Sequence, residues 1–213
     1  MAAPVKRKAA IGFRAHSGWA ALVAVSGSFD SPEIIARRRI EIADAAIGGS
    51  KQPYHAAEQM ELLHAKKYIA QCTSATRRLA RDAIRAAMEG LRDRRFETAA
   101  CGIVLGSGRT LPKLEGILAS HALIHTAEGE FFRNALVAAA EHCGLTVAGV
   151  KERELLDRAA AHLRRPVDEI ACRIAEIGKA IGPPWTQDQK YAALAGWMAL
   201  AANDPTSTTG TRD

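Results

Sequence analysis

Aromatic residues make up only 5% of this 213-residue sequence, and there are only four cysteines. No two cysteines are spaced as a Cys-x-x-Cys pair, so neither a thioredoxin-like site nor a zinc ribbon is indicated. All four lie among apolar neighbours, which is typical of reduced thiols in a core: Cys72, Cys101, Cys143 and Cys172. No apolar stretch of signal-peptide length follows the basic start, and none approaches the roughly 18 residues that a membrane helix needs. These absences predict a cytoplasmic protein that has no membrane segment.

The remaining composition is that of an ordinary globular chain. Hydrophobic residues make up 48% and charged residues 24%, and the length is ample for one buried core. We expect a basic N-terminal extension over residues 1–8, one domain over residues 9–202 and a disordered tail over residues 203–213. The net charge of +6 permits contact with nucleic acid or another anionic surface without requiring it.

Apolar runs separated by turn residues predict three antiparallel strands at the start of the chain. These runs are Ala9–Phe13, Trp19–Ser26 and Glu33–Ile42. Two later apolar runs, Thr98–Leu105 and Leu145–Val150, follow helix-length connections, which parallel neighbours require. The predicted fold is therefore α/β, with a mixed five-stranded sheet flanked by helices. In this sheet a three-strand antiparallel meander is joined by two parallel strands.

Apolar periodicity predicts the intervening helices. One runs from about His55 to Arg95, and another from about Leu111 to Gly144 with an interruption around Thr126–Gly129. Two more are predicted at Glu152–Leu163 and Val167–Ile181, and a capping box that begins at Thr186 starts the last helix, which ends near Ala202.

The opening Ile11-Gly12-Phe13-Arg14-Ala15-His16-Ser17-Gly18-Trp19-Ala20 resembles the start of Holliday-junction resolvases. In that family a first strand of the form Gly-Ile-Asp precedes a glycine turn and a second strand of the Gly-Trp-Ala type. Gly144–Val150 with Lys151–Arg153 resembles the fifth strand and the helix that follows it, and Asp188–Leu200 resembles the final acidic helix. Over about residues 9–200 the layout is similar to that of the ribonuclease H-like superfamily, to which the resolvases belong.

The resemblance implies a site where several carboxylates hold two divalent ions. Here Arg14 stands at the position of the first-strand aspartate, and Val104–Ser107 has no acid. The last helix offers Asp188, but its next turn offers Tyr191 and Ala192 instead of a second acid. A cation at Arg14 repels magnesium, and one carboxylate cannot hold two ions. We therefore expect no metal-dependent nuclease activity and no cofactor.

Two loops supply candidate ligand-binding residues. Arg14, His16 and Ser17 lie where the superfamily has its active centre, and they indicate either an anion site or an ordinary polar hairpin. Ser107 and Arg109 lie in a glycine loop before a helix, which indicates either an anion cradle or a flexible connection. If the layout holds, Arg14 and Arg109 lie at the same edge of the sheet.

Two helical patterns have both a functional and a structural interpretation. His121, His125 and Glu128 share one helix face, which suits a zinc or iron site, but chance histidine pairs are common and we predict no metal. The arginines of 77–95 either follow a nucleic-acid backbone or belong to a solvated helix with internal ion pairs. Nearby acids at Asp82, Glu89 and Asp93 favour the second interpretation.

Three hypotheses follow for the function. The leading one is a ribonuclease H-like domain without nuclease activity that binds nucleic acid or a protein partner as a homodimer. The alternative is an enzyme that acts on a phosphorylated or carboxylated small molecule through Arg14, His16 and Arg109. The third is a structural protein without a ligand. The sequence leaves open whether the protein is an enzyme at all.

Overall fold

The computed structural model describes residues 7–28, 30–106, 108 and 110–203. Its strands are β1 (Arg7–His16), β2 (Trp19–Gly27), β3 (Pro32–Glu41), β4 (Phe96–Leu105) and β5 (Thr146–Lys151). They form one sheet in the order β3-β2-β1-β4-β5, in which β1, β2 and β3 pair antiparallel. β4 runs parallel to both β1 and β5. The predicted mixed five-stranded sheet is confirmed, and its strand order and directions are those of the ribonuclease H-like layout.

Seven α-helices connect or flank the strands of the described chain. They are α1 (Pro53–Ala57), α2 (Leu62–Asp93), α3 (Leu114–Leu118), α4 (His121–His142), α5 (Leu155–Leu163), α6 (Val167–Ile181) and α7 (Gln187–Ala202). A 3₁₀ turn at Glu152–Glu154 links β5 to α5. The predicted capping box is present, because Gln189 Oε1 accepts the Thr186 N–H at 3.0 Å.

Two predicted helix boundaries are wrong. The stretch from His55 to Arg95 is divided into α1 and α2, which are separated by residues 58–61. The interruption expected around Thr126–Gly129 does not exist, because α4 is continuous there and the break lies earlier, between α3 and α4. The low helix propensity of Gly129 is outweighed by packing, because Ile124, Phe132 and Leu136 are buried along one face of the continuous helix.

Each face of the sheet is covered by its own helical layer. α2 and α4 pack on one face, around large side chains such as Phe13, Ile84 and Phe132. α5, α6 and α7 cover the other face, where Trp197 and many alanines are buried. Both faces of β1 and β2 are therefore covered, whereas β3 and β5 lie at the edges and are partly exposed.

α7 lies directly on the centre of the sheet because glycines remove the side chains between them. A Cβ at Gly12 of β1 would be 1.7 Å from Ala192 O, and one at Gly102 of β4 would be 2.0 Å from Ala195 O. Only glycine permits this close approach of helix and strand backbones. It fixes the N-terminal end of α7 above the end of β1.

Several smaller predictions are corrected or stay open. β1 begins at Arg7, so residues 7 and 8 belong to the sheet, whereas the rest of the extension and residues 204–213 of the tail lie outside the described residues. Cys172 is exposed and Cys143 only partly buried, so a core position is right only for Cys72 and Cys101. Along the described chain no helix is long and apolar enough to span a membrane. The homodimer and the cytoplasmic location stay predictions.

Candidate functional site

The carboxyl ends of three neighbouring strands meet at one edge of the sheet. Arg14 of β1 pairs with Val104 of β4, which pairs in turn with Val150 of β5. β1 continues through His16, so the turn expected over residues 14–18 consists only of Ser17 and Gly18, with a positive φ of +83° at Gly18. Arg14 and His16 are therefore strand residues, held rigidly at the edge where ligands bind in open α/β sheets.

The Arg14 guanidinium bridges two carboxylates from different parts of the chain. Its Nη2 lies 2.8 Å from Glu152 Oε1 and its Nε 3.3 Å from Glu152 Oε2, in a bidentate arrangement. Its Nη1 donates to Asp188 Oδ1 at the start of α7. The Arg14 side chain is only 18% exposed. Burial alone lowers the pKa of Arg14, but the hydrogen bonds and charges of Glu152 and Asp188 outweigh it and raise the pKa.

Ring stacking extends this cluster toward β3. His16 Nε2 lies 2.8 Å from Asp188 Oδ1, and the His16 ring stacks on Trp19 at a centroid distance of 4.3 Å. The Arg39 guanidinium lies 4.0 Å from the centre of the Trp19 ring. Asp188 is therefore shared by Arg14 and His16, and the aromatic contact orients the imidazole. We call Arg14, His16, Glu152 and Asp188 the Arg14 cluster.

The structure places some of the predicted ligand-binding residues together and leaves others apart. Arg14 and His16 converge on Asp188, whereas Ser17 is exposed in the turn. Ser107 and Arg109 lie outside the described residues, so the predicted meeting of Arg14 with Arg109 is untested. The ligand-binding role of these residues stays a prediction, and Arg14 already has two carboxylate partners.

The sequence-based count of one carboxylate is wrong, because the structure brings two together. The sequence indicates Asp188 as an acid of the last helix, but it does not indicate Glu152 as a member of the site. The available signal was its position two residues after Val150, at the end of a strand that borders β4. A carboxylate that follows the carboxyl end of a strand at this edge can reach the Arg14 side chain.

The histidines predicted as weak metal candidates lie in a second cluster, on the face that α4 covers. His121 Nε2 and His125 Nε2 are 3.0 Å apart, and His55 of α1, which no sequence pattern connects with them, lies beside both. Each residue offers one ring nitrogen, and these nitrogens all lie within 4.8 Å of one another. We call His55, His121 and His125 the histidine cluster.

Glu128, the third residue of the predicted set, is not part of the histidine cluster. It is buried, and its Oε1 accepts hydrogen bonds from the backbone N–H groups of Tyr54 and His55 at 2.7 and 3.0 Å. The same oxygen lies 3.2 Å from His55 Nδ1. Burial raises the pKa of Glu128, and the hydrogen bonds from His55 and Tyr54 oppose that rise. Glu128 therefore supports His55 and fixes α1 on α4.

The arginines of α2 are less paired than the sequence suggested. Arg81 lies 4.0 Å from Asp82, and Arg78 pairs at 2.9 Å with Asp44, which lies outside the helix. Arg77, Arg85 and Arg92 are exposed and have no carboxylate within 4.0 Å in the described chain. Of the predicted ion pairs inside the helix, the described residues form only that between Arg81 and Asp82, whereas these three charges face solvent, as a solvated helix predicts.

Comparisons with known proteins give a similarity of fold alone. No protein-family model matches the sequence, and no curated protein matches it. Among solved structures, the chain is similar to T. thermophilus RuvC in complex with a Holliday junction substrate, at 11% identity and a TM-score of 0.49, over 90% of this chain and 91% of that one. It is also similar to a second structure of Thermus thermophilus RuvC, at 12% identity and a TM-score of 0.44, over 89% and 92% of the two chains. The fold assignment rests on the strand order and directions described above.

Proposed function

We propose that this protein is a ribonuclease H-like domain that binds nucleic acid without cleaving it. The observation that carries the proposal is the Arg14 bridge between Glu152 and Asp188. A two-metal nuclease needs carboxylates whose oxygens are free to hold divalent ions. Here a permanent cation lies between the two acids and offsets one of their two negative charges. It therefore takes the electrostatic place of a metal ion without supplying an activated water.

Three exposed arginines of α2, with the partly buried Arg81 between them, supply the surface for nucleic acid. Arg77, Arg81, Arg85 and Arg92 follow one another at spacings of four, four and seven residues, which places them on one side of the helix. From Arg77 to Arg92 the helix rises about 22 Å at 1.5 Å per residue. A duplex carries one negative charge per roughly 1.7 Å of its axis, so a straight row of this length meets several phosphates. We call these four residues the α2 basic row.

The groove beside the end of this row is less suited to a polyanion. Arg85 and Arg92 line an open cavity of about 580 Å³, but Glu89 and Glu97 line it as well. Two carboxylates facing the same space repel phosphate groups. The α2 basic row therefore carries the proposed binding, through contacts to the backbone rather than through recognition of a base in the groove.

Fluorescence anisotropy with a labelled DNA duplex tests the binding. The variant Arg77→Ala/Arg85→Ala/Arg92→Ala is compared with Arg158→Ala/Arg173→Ala/Lys179→Ala, which removes the same charge from α5 and α6. We expect the first variant to bind more weakly than the wild type. The slope of its plot of log K against log salt should be smaller in magnitude by roughly two to three, because each of the three lost phosphate contacts contributes about 0.9 to that slope. Equal weakening in the control variant, or no binding by the wild type, overturns the proposed surface.

Incubation of branched and duplex DNA with Mg²⁺ or Mn²⁺ tests the absence of cleavage. The wild-type protein should leave both substrates intact over hours. Metal-dependent cleavage that disappears in Asp188→Asn overturns the proposal, because the carboxylates then hold ions despite Arg14. The alternative of a small-molecule enzyme rests on Arg14, His16 and Arg109, and no observation on the described residues favours it.

A further inference from the structure

Three imidazoles from two helices converge where α1 packs on α4. His121 and His125 are one turn apart on α4, a spacing that by itself is common on helices. His55 comes from α1, and its ring centroid lies 4.7 Å from that of His125 and 5.5 Å from that of His121. A third histidine from a separate element, facing the same point, is not produced by helical periodicity. We propose that the histidine cluster binds a divalent transition metal ion, with zinc as its expected occupant.

The distances fit a metal centre after small side-chain movements. Nitrogens bound to Zn²⁺ at 2.0–2.1 Å in a tetrahedron are about 3.3 Å apart. His121 Nε2 and His125 Nε2 are 3.0 Å apart, and the third nitrogen lies within 4.8 Å of both. His121 and His125 are exposed, so their rings can turn toward the ion without disturbing the core.

Glu128 supplies the outer support that metal-bound histidines require. Ligating histidines commonly bond through their second ring nitrogen to a carboxylate, which fixes the tautomer and orients the ring. Glu128 Oε1 lies 3.2 Å from His55 Nδ1 and leaves His55 Nε2 for the ion. Glu128 is only 5% exposed, and its Oε2 has no hydrogen-bond partner among the described residues. A cation one imidazole away offsets this buried negative charge.

The ligand set selects the class of metal. Neutral imidazoles suit zinc, copper, iron and nickel, whereas magnesium and calcium prefer oxygen ligands. Three protein ligands leave a fourth position, which faces solvent because His121 and His125 lie at the surface. The bound ion ties α1 to α4 and presents one open coordination position to water or another small donor.

Titration calorimetry with ZnCl₂ on tag-free protein tests the site. We expect one Zn²⁺ per chain, and Co²⁺ should give the visible absorption of a tetrahedral complex while Mg²⁺ gives no heat. His121→Ala/His125→Ala should abolish this binding, and His55→Ala should weaken it more than tenfold. Glu128→Gln should lower the affinity by about 10- to 100-fold without changing the stoichiometry, as expected for an outer partner.

The matched control is His142→Ala/His162→Ala, which removes two exposed histidines from elsewhere on the surface. It should bind Zn²⁺ like the wild type. Failure of the wild type to bind Zn²⁺ at micromolar concentrations overturns the proposal, as does an equal loss in the control. An unchanged affinity in His55→Ala overturns it too, because the binding then belongs to an ordinary histidine pair. His121 and His125 are exposed, so circular dichroism should show their variants folded.

Discussion

Replacing Arg14 with methionine tests whether the bridge between Glu152 and Asp188 stabilises the fold. The substitution keeps most of the aliphatic length and removes three hydrogen bonds to carboxylates. It also leaves two negative charges facing each other at the end of the sheet. We expect Arg14→Met to unfold at a lower urea concentration than the wild type with an unchanged m-value.

The exposure of the Arg14 cluster determines how much stability Arg14→Met loses. Breaking a fully buried ion pair costs about 3–5 kcal/mol, whereas an exposed pair is worth roughly 0–1 kcal/mol. Arg14 is 18% exposed, but Glu152 is 39% and Asp188 22% exposed, so water screens part of the interaction. The loss therefore falls between these limits, at about 2 kcal/mol.

Two further variants separate charge from geometry. Arg14→Lys retains the charge but cannot reach both acids in a bidentate arrangement, so it should recover only part of the loss. Arg7→Met removes an ion pair whose partners are both 55% exposed, and should cost no more than about 1 kcal/mol. The argument fails if Arg14→Met is as stable as the wild type, or no less stable than Arg7→Met.

Other consequences of the fold can be measured in the same way. In urea unfolding, Gly102→Ala should destabilise the protein by about 1–3 kcal/mol or more, because its new Cβ clashes with Ala195 O of α7. Gly90→Ala, at an exposed and open position of α2, should instead stabilise it by up to about 1 kcal/mol, and a loss there would contradict the helical assignment. Native protein should react with a thiol reagent at Cys172 but not at Cys101, whose pKa is raised by burial; rapid labelling of Cys101 before unfolding would contradict the packing. For the same reason unfolding releases a proton from Cys101 above pH ~9, so stability should fall there by up to about 1.4 kcal/mol per pH unit, and Cys101→Ala should flatten that slope.

The sheet was predictable because its signals are local. Turn residues separated the first three strands, and helix-length connections required the later two to run parallel. Helix limits were harder, since the division of α1 from α2 and the continuity of α4 depend on packing between helices. The buried face of α4 overrides the break that Gly129 suggested.

The two side-chain clusters depend on contacts that no local pattern reveals. His55 meets Glu128 across 73 residues of chain, and Arg14 meets Asp188 across 174. The sequence identified Arg14 as a cation in an unexpected place, but not the acids that neutralise it. It likewise grouped His121 and His125 with Glu128, whereas the third residue of the cluster in the structure is His55.

The two clusters can be tested independently because they lie on opposite sides of the sheet. The Arg14 cluster depends on α7, which covers one face, whereas the histidine cluster depends on α4, which covers the other. Substituting His121 and His125 therefore leaves the α7 side of the sheet in place, and substituting Arg14 leaves α1 on α4. If Arg14→Met changes Zn²⁺ binding, the two faces are coupled through the sheet itself. If it does not, the Arg14 cluster and the histidine cluster are independent features of one fold, and the proposed metal site does not depend on the strand ends at which Arg14 lies.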